Sequence, residues 1–222
     1  MSSTSTASAA PPRHPAKFSP AVMDLMTGII PAGALILDPF AGTGRIHAIG
    51  RRCDAQTVGV EIEPEWAGLS PLTAVGDATC LPFADGTFDM VATSPVYGNR
   101  LSDHHHARDG SVRYSYTHDL GRTLHPNNAG AMQWGDRYRR LYVDAWREVA
   151  RVLRPGGTLI LNVSDHVRGG VVQPVTDWHI ETLELLRFTV VAHHRVPTPR
   201  LRFGQNAGAR VDHESVIVFK AP

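Results

Sequence analysis

Short apolar runs alternate with helical patterns along this chain, and that alternation constrains its fold more than any other feature. β-Compatible runs occupy 34–40, 57–63, 72–78, 88–96, 158–165, 188–197 and 214–220. Between them lie helical stretches: one opened by Ser19 as cap, with Val22, Leu25 and Met26 inside, then 44–52, 136–153 and 175–186. The longest carries Leu141, Ala145, Val149 and Val152 at helical spacing. Strands separated by helices predict an α/β fold with a parallel sheet and crossover helices on both faces.

With 222 residues the chain can bury a sizeable core as one domain. The reading is a tail over 1–12, rich in Ser, Thr, Ala and Pro, then a single domain over 13–222. Two cysteines, Cys53 and Cys80, give no disulfide framework, and no apolar run reaches membrane-spanning length, so the expected compartment is the cytoplasm. The formal net charge is only +1, which excludes a uniformly basic coat, but it is polarised. Residues 21–99 hold three Arg against nine acids, net −6; residues 100–154 hold ten Arg against six acids, net +4. Residues 195–222 hold four Arg and one Lys against two acids, net +3. A cofactor side and a polyanion side would look like this, and so would solvated surface.

Three of the first strands end on acids. Asp38-Pro39-Phe40-Ala41-Gly42-Thr43-Gly44 closes the first strand and opens a helix, with glycines that let a ligand approach backbone N–H groups. Glu61 follows 23 residues after Asp38, where a carboxylate can accept both hydroxyls of a ribose. Asp77, before Ala78, can accept from an adenine amino group. Acids that merely cap helices or solvate strand ends are the alternative; three in register favour a nucleoside-containing cofactor. The fourth strand ends on Thr93-Ser94-Pro95-Val96-Tyr97-Gly98, offering a hydroxyl, a free carbonyl and a flat ring. Taken alone, that stretch reads as a strand-ending turn.

Taken together, the two stretches resemble the amino-directed DNA methyltransferases, which use S-adenosylmethionine to methylate cytosine N4 or adenine N6. Their catalytic motif is Asp, Asn or Ser, then Pro-Pro, then an aromatic residue, and a leading Ser is most typical of the cytosine-N4 enzymes. His14-Pro15-Ala16-Lys17-Phe18 resembles the segment preceding the cofactor loop, and Arg154-Pro155-Gly156-Gly157 a turn common in the class I methyltransferase fold. The resemblance covers roughly 13–100 and 136–220. It implies a Rossmann-like, seven-stranded, mostly parallel sheet with an antiparallel last strand. It implies S-adenosylmethionine held by Lys17, Phe18, Asp38, Phe40, Ala41, Gly42, Gly44, Glu61, Asp77 and Ala78. It makes Ser94 and Pro95 acceptors for the target amino group and Tyr97 the ring that stacks on a base flipped from duplex DNA. Val96 stands where the family has Pro; both hydrogen-bonding groups remain, so the change bears on loop rigidity. Cytosine-C5 chemistry is disfavoured, since its Cys nucleophile has no counterpart at Val96.

The irregular stretch 98–135 leaves the catalytic strand, and a second Gly/Arg-rich excursion spans 198–213. Arg100, Arg108, Arg113 and Arg122, interleaved with Tyr114, Tyr116 and Trp134, suit a nucleic-acid surface; a loop ordered by its own aromatics is the alternative. Arg100, Arg113, Tyr116 and Arg202 are the candidate substrate contacts. His104, His105 and His106, with Asp103, His118 and His125, lack zinc spacing, so no metal is expected. Asn162 and Asp165 can line a pocket or cap a turn, and Trp146 and Trp178 read as core. With no large separate recognition region, a homodimer or a helper protein is an expected partner beside DNA. Two other readings stay open: an RNA or small-molecule N-methyltransferase, and an inactive module binding cofactor and nucleic acid. Removing charge at Arg100, Arg113 or Arg202 is expected to weaken DNA binding and flatten its salt dependence, with cofactor affinity unchanged in calorimetry.

Overall fold

A computed structural model describes residues 18–98, 115–198 and 211–222. The strands are β1 (Leu35–Asp38), β2 (Gln56–Glu61), β3 (Thr73–Val75), β4 (Phe88–Thr93), β5 (Leu153–Val163), β6 (His166–Arg168), β7 (Val171–Gln173), β8 (Thr189–Pro197) and β9 (His213–Lys220). The α-helices are α1 (Pro20–Ile29), α2 (Arg45–Cys53), α3 (Pro64–Ala67), α4 (Tyr116–Leu120), α5 (Asp136–Val152) and α6 (Val175–Leu185). Seven strands form one sheet in the order β3-β2-β1-β4-β5-β9-β8. Pairing is parallel from β3 through β5, and β9 runs antiparallel to both β5 and β8. The expected mostly parallel seven-stranded sheet with a reversed last strand is therefore present.

Alternation along each strand splits the core in two. Ile36, Met90, Ala92, Ile160 and Val216 face one side, where Val22 and Met26 of α1 and Ile46 and Ile49 of α2 cover them. Leu37, Val91, Leu159, Leu161, Ile217 and Phe219 face the other, under Trp146 and Val149 of α5 and Leu183 of α6. A two-residue period on the strands thus meets helices on both faces. Local chemistry fixes the helix starts: the Ser19 hydroxyl accepts from the Val22 N–H at 3.3 Å, with Pro20 at the first helical position.

Several elements differ from the sequence reading. β3 is an edge strand reduced to three residues, with Val75 exposed. β4 stops at Thr93, ahead of Pro95, which has no N–H for the ladder. β5 starts earlier, at Leu153, which pairs with Phe88 across a register shift. The buried stripe of α5 includes Tyr138, Tyr142 and Trp146, while Leu141 is only partly buried. The β6–β7 hairpin was not foreseen, although its turn, Gly169-Gly170 with φ of 57° and 79°, is a strong two-residue hairpin signal. Among the described residues no helix is long and apolar enough to cross a membrane.

Residues 115–134, read as irregular and as either a nucleic-acid surface or a loop ordered by its own aromatics, dock on the ends of β2 and β3. Glu63, fully buried, accepts from the His125 N–H and the Asn128 side-chain amide, both at 2.8 Å. Its other oxygen lies 2.7 Å from Arg122 Nη2, and the same guanidinium grips Glu65 through Nε at 2.7 Å. Tyr116 and Trp134 are 2% and 9% exposed, so neither offers an open face to nucleic acid, and Arg122 is an ion-pair partner of two glutamates. Tyr116 packs edge-on against Trp66, with ring centroids 5.6 Å apart. Arg122→Ala strands the buried Glu63 charge. Because Arg122 is itself 39% exposed, the expected cost is about 1–3 kcal/mol, below that of a wholly buried pair. Hydrogen exchange should accelerate over 115–134 and stay slow in the sheet.

Candidate active site

The sheet order turns back at β1, which lies between β2 and β4, so the carboxyl ends of β1 and β4 border a crevice. A cavity of about 360 Å³ opens there. Of the sequence-predicted residues, Phe18, Asp38, Phe40, Ala41, Gly42, Glu61, Asp77, Ala78, Ser94, Pro95, Tyr97 and Tyr116 all border it. Gly44 does not: with φ of 79° it caps α2, and a Cβ there would lie 2.7 Å from the His47 ring. Lys17, Arg100, Arg113 and Arg202 lie outside the described residues, as do His104, His105 and His106. No cluster of three potential metal ligands occurs among the described residues.

Each of the strand-end acids is tied down by the backbone it terminates. Asp38 Oδ1 accepts from the Phe40 N–H at 3.0 Å and the Thr93 hydroxyl at 2.6 Å, stapling β1 to β4. Burial pushes its pKa up to about 6, against the pull of those two hydrogen bonds. Glu61 accepts from the Gly42 N–H at 2.8 Å and the Glu63 N–H at 2.9 Å, one on each oxygen. Burial pushes it up to about 7, and the neighbouring carboxylates of Glu63 and Asp38 add to the rise. A carboxylate oxygen has two acceptor directions, so each Glu61 oxygen keeps one for a hydroxyl. Burial also raises the Asp77 pKa, but the hydrogen bonds from Thr79 and Asn127 outweigh it and hold the carboxyl below its ordinary range. Asn127, bonded to Asp77 at 3.0 Å, borders the cavity and was not foreseen.

The other end of the cavity is built from β4, β5 and β9. Ser94 Oγ and the Tyr97 hydroxyl are 3.1 Å apart. The Asn162 amide, 1% exposed, reaches Ser94 Oγ at 3.1 Å, the Tyr97 hydroxyl at 3.3 Å and Glu214 Oε2 at 3.1 Å. Asp165 plays the bland role weighed for it, accepting from the Thr176 N–H at 2.8 Å at the start of α6. The Val96 carbonyl accepts from the hydroxyls of Tyr138, at 2.7 Å, and Tyr142, at 3.2 Å. Tyr138 meets His179 Nε2 at 3.1 Å, and Trp146 Nε1 donates to His179 Nδ1 at 3.0 Å. Burial lowers the His179 pKa to about 3, so the ring stays neutral. Past Tyr97, the Gly98 carbonyl accepts from the Trp134 N–H at 2.9 Å, and Gly98 has φ of 69°. Asn162, which the sequence left open between lining a pocket and capping a turn, reaches Ser94 at the cavity's edge, while Glu214, Tyr138, Tyr142 and His179 escaped the sequence reading. Only the Tyr138/Tyr142 spacing on a helix hinted at a shared target.

Sheet order, reversed last strand and crevice position define the Rossmann-like class I methyltransferase fold. Solved structures agree. An S-adenosylmethionine-dependent methyltransferase from Methanosarcina mazei superposes with a TM-score of 0.57 at 14% identity, covering 93% of this chain and 99% of that one. A TehB-like S-adenosylmethionine-dependent methyltransferase from Corynebacterium glutamicum gives 0.52 at 16% identity, covering 90% and 86%. The 1,6-didemethyltoxoflavin-N1-methyltransferase of Burkholderia thailandensis, with bound 1,6-didemethyltoxoflavin and S-adenosylhomocysteine, gives 0.52 at 18%, covering 90% and 77%. No family model matches the chain, and no curated protein matches it by sequence.

Asp38 offers a test of the site's electrostatics. Its pKa rises from the ordinary 3.8 to about 6, so the folded state loses stability as pH climbs through that window. Asp38→Asn keeps an acceptor for Phe40 and Thr93 and removes the buried charge. The variant is expected to gain up to about 3 kcal/mol over the wild type at pH 8 and nothing at pH 3, read by denaturant titration.

Proposed function

We propose that the protein is an S-adenosylmethionine-dependent methyltransferase acting on an exocyclic amino group in DNA, cytosine N4 ahead of adenine N6. The observation that carries this reading is one cavity bordered by Asp38, Glu61 and Asp77 at one end and by Ser94, Pro95 and Tyr97 at the other. The chemistry of the first set suits the cofactor. Glu61 has a lone-pair direction on each oxygen for the two ribose hydroxyls, and Asp77 with Asn127 presents polar atoms to an adenine edge. Phe18 and Phe40 supply apolar walls, and Asp38 a negative charge that favours a cationic ligand. When bound, S-adenosylmethionine supplies a methyl group made electrophilic by its sulfonium.

The acceptor end then has to hold an amino nitrogen with its lone pair directed at that methyl. Ser94 Oγ can take an N–H of the substrate in one acceptor direction while Asn162 occupies the other. The Pro95 carbonyl, which takes no hydrogen bond from the described residues, accepts the second N–H. Both contacts strengthen as positive charge develops on nitrogen, which is where preorganised acceptors accelerate a reaction. Tyr97 lends a ring face for a base, and a base in duplex DNA reaches the cavity by flipping. Positioning and desolvation carry the rate, with no covalent adduct.

A small heterocyclic amine is the second reading. Tyr116, Asn127 and Asn128 border the cavity beside its polar groups, and the Burkholderia enzyme is named for a small heterocyclic substrate. The inactive-module reading loses ground, since the loop carrying Val96 is tied by two tyrosines. A homodimer or helper protein remains a proposed route to DNA contact.

Labelled cofactor offered with duplex DNA, single-stranded DNA, RNA and free heterocyclic amines separates these readings. Label in DNA is the expected result. Label in the small amines alone moves the substrate to the second reading. Ser94→Ala should lower transfer roughly a hundredfold while leaving cofactor affinity in place.

A further inference from the structure

The acids around the cavity are not equivalent. Asp38, Glu61 and Asp77 each accept backbone N–H groups at the ends of β1, β2 and β3, and their charge is anchored there. Glu214 sits across the sheet on β9, opposite Val196 of β8, and borders the same cavity with Ser94, Pro95 and Thr198. Its Oε2 takes the Asn162 amide at 3.1 Å. No other partner falls to its carboxylate among the described residues, so Oε1 has its full accepting capacity.

That contact also orders its neighbours. A carboxylate only accepts, so the atom of Asn162 facing it is the amide nitrogen. The same nitrogen then donates toward Ser94 Oγ, leaving Asn162 Oδ1 buried without a partner among the described residues. A buried, unsatisfied amide oxygen costs stability. The arrangement directs the Asn162 amide N–H groups at Ser94 and Glu214.

Resting on the cofactor reading above, we infer that Glu214 is the specificity-determining carboxylate of the acceptor end. It accepts an N–H of the target beside Ser94 and so restricts methyl transfer to an uncharged nitrogen that bears hydrogen and keeps a lone pair for the methyl. An anionic acceptor, such as a carboxylate or phenolate, would meet like charge there. A hydroxyl could give its one hydrogen to only one of Ser94, Pro95 and Glu214. A neutral amino group, with two hydrogens and a lone pair, matches the acceptor set.

The test needs no knowledge of the natural substrate. Sinefungin carries an amine where S-adenosylmethionine carries its sulfonium methyl, and S-adenosylhomocysteine carries neither. Calorimetry on the full chain is expected to show sinefungin binding about tenfold tighter than S-adenosylhomocysteine, the scale of one charge-assisted hydrogen bond. Glu214→Gln keeps an acceptor for Asn162, so it should equalise the two affinities and leave that for S-adenosylhomocysteine unchanged, which also reports correct folding. A preference that survives in the Gln variant overturns the assignment of Glu214 alone. Failure of the wild type to bind either nucleoside overturns the cofactor reading and this inference with it.

Discussion

Desolvation of two carboxylates at the ends of adjacent parallel strands governs the architecture around this site. Asp38 and Glu61 are 2% and 7% exposed, and an acid in such surroundings survives only if N–H or O–H groups converge on it. The chain meets that demand by bending. Phe40 and Gly42 turn their N–H groups back onto Asp38 and Glu61, and Thr93 reaches over from β4. The glycine turn, the start of α2 and the β1–β4 seam are thus shaped by the same two groups. Compensation is incomplete, since burial still lifts both acids toward neutrality. A site in that condition gains from any ligand that brings hydroxyl donors or positive charge, which links binding to the relief of a folding cost.

A third buried acid extends the principle to residues 115–134. Glu63 follows β2 by two residues and is buried between the sheet and residues 115–134. Its partners Arg122, His125 and Asn128 all belong to that segment. Asn127, next to Asn128, reaches Asp77. The stretch is therefore part of the cavity wall on the β2–β3 side. Its aromatic residues pack inward for the same reason: Tyr116 meets Trp66 of α3, and Trp134 meets Tyr138 and Trp178.

What the sequence made legible follows strand ends, and what it hid follows strand neighbours. Asp38, Glu61, Asp77 and Ser94 were readable because each closes an apolar run, so their common location needs only parallel strands. Asn162 and Glu214 come together because β9 inserts antiparallel between β5 and β8, a register that no local pattern encodes. Tyr116 and Trp134 show a second kind of ambiguity. Their residue types suit a nucleic-acid surface and a buried cluster equally well, and the decision lay with Glu63, 62 residues from its partner His125. The Gly169-Gly170 turn was legible and overlooked, its flanking valines being too short a run to stand out as strands.

The departure at Val96 gains its meaning from hydrogen positions. The Trp146 indole can only donate, so His179 Nδ1 is an acceptor. A neutral ring then carries its hydrogen on Nε2 and donates to the Tyr138 oxygen. Tyr138 is left with its own hydrogen for the Val96 carbonyl, and Tyr142 adds a second. Every donor in that relay is assigned a partner in a buried interior. A proline stiffens a loop by fixing φ and removing an N–H. Here the stiffness comes from outside the loop, through a carbonyl held by two tyrosines of α5. The turn after β4 is therefore anchored at Val96, one residue beyond the Pro95 carbonyl.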